Sequence, residues 1–169
     1  MTRSETTSRR RLLASLGVGM ATAAAGCTGS DALGGDPSYE SGNVGPINAS
    51  NASSRNASEM STASSLAQQQ PTNSVTPLDS LELVEHEFVL EDGYLGSTVQ
   101  GVVTNTGSDR LQIVEVRTRI YNAAGNLLGR YFASTGDLGA GDAWEFQVVV
   151  LEAPGDVADY DITVLGTPS

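Results

Sequence analysis

Three observations predict an all-β fold, a small two-sheet antiparallel sandwich, over residues 79–169. Apolar and polar residues alternate at a period of two in run after run, the pattern of strands with one buried and one wet face. Clusters of Gly, Asn and Asp separate the runs at roughly 8 to 15 residue intervals. None of the ten-residue helical periodicity that a βαβ unit requires lies between them.

The strands follow in order. Val84, His86, Phe88 and Leu90 alternate with Glu85, Glu87, Val89 and Glu91, and Asp92-Gly93 turns the chain. A second strand near Tyr94 to Asn105 sets Leu95, Val99 and Val103 on one face, and Asn105-Thr106-Gly107-Ser108-Asp109 ends it. In the third, Val114, Val116, Thr118 and Ile120 face the core, while Glu115, Arg117, Arg119 and Tyr121 mark the wet side. Asn122-Ala123-Ala124-Gly125-Asn126 leads into a fourth strand, Leu127 to Ser134. Gly136 to Asp142 leads into a fifth, with Trp144, Phe146, Val148 and Val150 in phase. After Pro154-Gly155-Asp156, Tyr160, Ile162 and Val164 form the last inward row. A stretch of about 87 residues builds one core with little surplus for a deep pocket.

The runs Gln100 to Gly107, Val114 to Gly129 and Leu138 to Phe146 together resemble the FxLYD domain, over about half of the chain. At the motif that names the family, Tyr121 is retained, with Thr118, Ile120 and Asn122 in place of Phe, Leu and Asp. The resemblance implies an immunoglobulin-like antiparallel β-sandwich of the kind found in exported proteins of archaea and bacteria. It brings no catalytic residue and no cofactor, and it implies a passive extracytoplasmic module for spacing or interaction.

The N-terminus reads as an export address. A polar region ends in Arg9-Arg10-Arg11, an apolar run extends from Leu12 to about Ala25, and Ala24-Ala25-Gly26 precedes Cys27. The run is too short and too rich in Ala and Gly for a stable span, which takes roughly 20 strongly apolar residues. Ser8 to Leu13, with Arg9 and Arg10, resembles the twin-arginine export signal. Ala24 to Cys27 resembles the lipobox of prokaryotic lipoproteins, with Ala24 where Leu is usual, and implies cleavage before Cys27 and a lipid on its sulfur. An ordinary signal peptide with an incidental Cys, or an uncleaved N-terminal helix, is the alternative. Cys27 is the sole Cys, so no internal disulfide forms, and lipidation gives an otherwise reactive exported thiol a use. With one Cys and one His, a thiolate zinc site is excluded.

Residues 1–26 are thus expected to be a signal peptide and 27–78 a disordered tether ahead of the sandwich at 79–169. Of the 51 residues from Thr28 to Leu78, 32 are Ser, Thr, Gly, Asn, Pro or Gln, too polar a composition to offset the entropy of ordering. As a flexible coil the tether would reach about 40 Å. Asn48-Ala49-Ser50, Asn51-Ala52-Ser53 and Asn56-Ala57-Ser58 each fit the N-glycosylation acceptor pattern, although Ser/Asn-rich low complexity also generates such matches.

Charge narrows the partners. The nine basic residues are all Arg, and removing residues 1–26 leaves 19 acidic groups against five Arg, a formal charge of −14 over 143 residues. Molar salt shortens the Debye length to about 3 Å and relieves that self-repulsion. The Lys-free acidic composition resembles proteins of extremely halophilic archaea. Nucleic acid is excluded as a partner on sign. Anionic headgroups attract such a surface no better, which leaves a lipid on Cys27 to hold the membrane.

Three places are weighed as sites. His86 is a candidate base or metal ligand, against a half-buried, hydrogen-bonded histidine, which the lack of a second His and of a nucleophile elbow favours. Asp156, Asp159 and Asp161 could chelate a hard cation, but lack EF-hand spacing, and acidic crowding suits a halophilic surface anyway. Trp144 reads as core, and Tyr121 as an exposed contact. No enzyme, metal or cofactor is expected. The reading is a lipid-anchored protein on the outer face of the cytoplasmic membrane, its module structural or bound to another envelope protein. The alternative is an accessory or ligand-presenting subunit of an envelope transporter or enzyme, which requires a concave site.

Overall fold

The structure, a computed structural model, describes residues 35–46 and 54–169. The strands among them are β1 (Glu40–Asn43), β2 (Leu81–Leu90), β3 (Ser97–Asn105), β4 (Leu111–Tyr121), β5 (Leu127–Leu138), β6 (Ala143–Val149) and β7 (Asp159–Pro168), and one helix, α1 (Ala57–Leu66), precedes β2. They form two sheets of order β1-β7-β4-β5 and β2-β3-β6, with every pairing antiparallel. The six expected strands are all present, and the fold is the all-β sandwich that the alternation predicts. Among the described residues no helix is long and apolar enough to cross a membrane.

The inward rows match the period of two. Val114, Val116, Thr118 and Ile120 of β4 are fully buried, as are Val99 and Val103 of β3, Val148 of β6 and Ile162 of β7. Gly101 sits between the two valines of β3, opposite His86 and Phe146. A Cβ there would run into the Glu85 carbonyl oxygen and the Phe146 ring, so only Gly lets the three strands close up.

Two expectations are corrected. Val84 does not face inward: it is 54% exposed. The β2–β3 register shifts between Leu83 and Glu85, a bulge whose extra residue leaves the ladder, so Leu81 and Leu83 point inward before it and His86 and Phe88 after it. Alternation counted back from Leu90 cannot register one inserted residue.

The second correction concerns residues 27–78, expected to be a tether throughout. Residues 40–43 form β1 on the edge of β7, residues 57–66 form α1, and the chain after α1 bridges to the sandwich at Gln68–Phe132 and Thr76–Gly166. A helix starts at this polar stretch because it is capped: Asn56 Oδ1 accepts from the Ser58 and Glu59 N–H groups, and the Asn56 N–H donates to Glu59 at 2.9 Å, a capping box. Residues 1–34 and 47–53, which include the expected signal peptide, Arg9, Arg10, Cys27, Asn48 and Asn51, lie outside the described residues.

Candidate functional site

The outer side of β4, expected to be wet, is covered. Its neighbours follow from register: Glu115 lies beside Ser134 and Leu165, Arg117 beside Phe132 and Thr163, and Arg119 beside Arg130 and Asp161. Leu165 is 1% exposed, Glu115 1% and Phe132 6%, yet all belong to the face turned away from the core. Residues 67–76, here termed the strap, cover them.

The strap starts at the edge strand β5, where the Phe132 N–H donates to the Gln68 carbonyl at 3.0 Å and Ser134 Oγ donates to Gln68 Oε1 at 3.2 Å. Over β4, Glu115 Oε2 accepts the Thr72 N–H at 2.8 Å and Arg117 Nη2 donates to the Thr72 carbonyl at 2.9 Å. At β7, Thr167 Oγ1 donates to the Ser74 carbonyl, and Thr76 exchanges two main-chain bonds of 2.9 Å with Gly166. Arg117 Nε also donates to Glu115 Oε1 at 2.7 Å, so the buried carboxylate is paired on both oxygens. The Phe132 ring centroid lies 5.9 Å from the Arg117 guanidinium carbon.

Further along the face, Arg119 pairs with Asp161 at 2.6 Å, and the Tyr39 ring centroid is 3.6 Å from its guanidinium carbon. Tyr121 donates to the same Asp161 at 3.2 Å and is half-buried, so it is a structural contact rather than the exposed one expected. Desolvation, followed by the Asp161 charge, raises the Tyr121 pKa. Arg55, ahead of α1, donates to the carbonyls of Tyr94 and Leu95 at the β2–β3 turn, and burial lowers its pKa.

His86 sits at the seam of the two sheets. Its Nδ1 shares a 2.7 Å hydrogen bond with the Tyr160 hydroxyl, its Nε2 is 4.0 Å from Glu40 on β1, and its side chain is 15% exposed. Burial, then the Glu87 charge, pushes the Tyr160 pKa up to about 12, so the phenol keeps its proton at neutral pH. Gly42 on β1 faces the Tyr160 ring, where any Cβ would collide with it. This is the half-buried, hydrogen-bonded histidine.

Of the acidic trio, Asp161 is committed to Arg119 and Tyr121, and among the described residues no group of three or more His, Cys, Asp or Glu is placed to hold a metal. Trp144 is half-buried against Phe146, with ring centroids 5.8 Å apart. Asn56 is exposed at the start of α1. A cleft of about 360 Å³ opens on β2-β3-β6 among Glu85, Glu87, Gln100, Val102 and Glu145, and its carboxylates disfavour anionic ligands. The sequence reading missed the strap, the Thr72 clamp and Tyr39. The available signal was Glu115-x-Arg117-x-Arg119, three charges on one face of a strand.

Together these features define a small β-sandwich module with one sheet face covered by the chain that leads into it. No family model matches the chain. It is 34% identical over 86 residues to an uncharacterised protein of Methanocaldococcus jannaschii, a match that covers 50% of this chain and 63% of that protein's length. A solved structure of a DUF1425 family member from Shewanella sp. pv-4 overlaps 58% of this chain and 93% of its own, at a TM-score of 0.39 and 10% identity.

Proposed function

We propose that this chain is a lipid-anchored protein of the outer face of the cytoplasmic membrane, and that its sandwich is a non-catalytic module with a structural or protein-interaction role at the envelope. The carrying observation is Cys27, the sole Cys, directly after a small-residue site and an apolar run headed by Arg9-Arg10-Arg11. The likeness to the FxLYD module and the Lys-free acidic composition of an extreme halophile support the same setting. Asn56 suits a glycan: its Oδ1 serves the helix cap, whereas the linkage forms on Nδ2.

Fractionation of Cys27→Ser tests the anchor. Two long acyl or alkyl chains hold a protein on a bilayer at about 0.8 kcal/mol per buried CH₂, and without them nothing in this acidic chain binds headgroups. The variant is expected in the medium, with the wild type in the salt-washed membrane pellet. A variant retained in the pellet as fully as the wild type refutes the lipoprotein reading.

A further inference from the structure

We infer that the outer face of the β1-β7-β4-β5 sheet is a peptide-reading surface for an extended, uncharged segment of a partner protein, and that the strap of this chain is its resident, displaceable occupant. The inference rests on the reading of the sandwich as an interaction module and is independent of the lipid on Cys27.

The bonding pattern carries it. Six of the seven strap-to-sheet bonds described above engage strap main chain, and only that to Gln68 Oε1 engages a side chain. Glu115 and Arg117 satisfy both main-chain groups of one residue, so the clamp reads a peptide unit rather than a side chain. The ends of the segment meet strand edges, which accept any extended chain. Within residues 67–76 only Val75 is buried. The surface therefore takes a segment with a free N–H at the clamped position and a small β-branched residue three places later. It carries no charge, like the strap, because Glu115 and Arg117 already neutralise each other. Gln70 and Thr76 precede Pro71 and Pro77 and are held extended by them. A partner loop of the type Pro-Thr-x-x-Val-x-Pro reproduces the five bonds made by Thr72, Ser74 and Thr76 and the burial of Val75, and an extended residue three places before its Thr-preceding Pro supplies the carbonyl that Gln68 gives to β5. With a single buried side chain, the strap opens before the strands beneath it do.

The test uses the full chain and a fluorescent peptide of residues 66–78. Thr72→Pro removes the N–H that Glu115 accepts, which loosens the strap while the face stays intact. Occupancy in cis weakens apparent binding by the fraction of chains that are open. The labelled peptide is therefore expected to bind Thr72→Pro at least about tenfold more tightly than wild type. The same peptide carrying Pro at the Thr72 position is expected to bind neither. Val75→Ala, which loosens the strap without touching the clamp, replaces Thr72→Pro if circular dichroism shows the latter unfolded. A folded variant that binds no better than wild type, or equal binding of the Pro-substituted peptide, overturns the inference. Either result leaves the Cys27 fractionation unaffected, so the two readings fail separately.

Discussion

Arg117 differs from Arg110 in what its loss leaves behind. Arg110 pairs with Asp137 where both side chains are more than half exposed, a contact worth at most about 1 kcal/mol. Arg117 holds the carboxylate of Glu115, which is 1% exposed, and without it that charge is stranded under the strap. Denaturant melts of Arg117→Ala are expected to show a loss of about 3 to 5 kcal/mol, and those of Arg110→Ala about 0.5 kcal/mol or less. Equal losses would mean that Glu115 is solvated. Tyr160 supplies a pH signature. Its pKa is raised from about 10 to about 12 on folding, so the stability it contributes is complete below pH 10 and lost as the pH climbs through 12. Tyr160→Phe keeps the ring beside Phe88 and loses the bond to His86. It is expected to be less stable than wild type at pH 8 by about 1 kcal/mol, and to decline less steeply between pH 10 and 12. Parallel declines would remove Tyr160 from the alkaline transition.

At the scale of elements, the legible part was the part written in side chains. β4 shows it: Val114, Val116, Thr118 and Ile120 are fully buried and in phase, as their spacing requires. The bulge at Val84 is written in backbone register and has no side-chain signature. α1 carried one readable sign, Asn56-x-x-Glu59, but no apolar stripe, since Ala63 is its one buried residue while Met60 and Leu66 are exposed. The strap was invisible because its bonds use the main chain, which every sequence supplies. The covered face was half legible: Glu115, Arg117 and Arg119 were placed on the outer side, but nothing in a strand shows that a preceding segment lies over it. The sequence alone therefore puts the domain start at Asp79, whereas Phe132, Leu165 and Glu115 are covered from residues before it. A chain starting at Asp79 is expected to melt at lower denaturant than one starting at residue 54, with new binding of a hydrophobic dye at the exposed Phe132 and Leu165. Coincident melts would return the boundary to Asp79.

At the scale of the whole molecule, the segment between the proposed anchor and the sandwich is not only a spacer. Part of it is a layer of the domain, so under the proposed anchoring its reach is shorter than a 51-residue coil would give. Composition records the sign of the charge and the absence of Lys, and carries no information about layers. Residue-resolved hydrogen exchange on the full chain tests most directly whether the strap belongs to the fold. The amides of Thr72 and Thr76 donate to Glu115 and to the Gly166 carbonyl, and that of Ala67 closes the last turn of α1. They are expected to be protected, though less than those of β4, while Asn73 and Ser74 exchange freely. If Thr72 and Thr76 exchange as fast as Asn73 and Ser74, the strap is not docked, and the account of the covered face is contradicted.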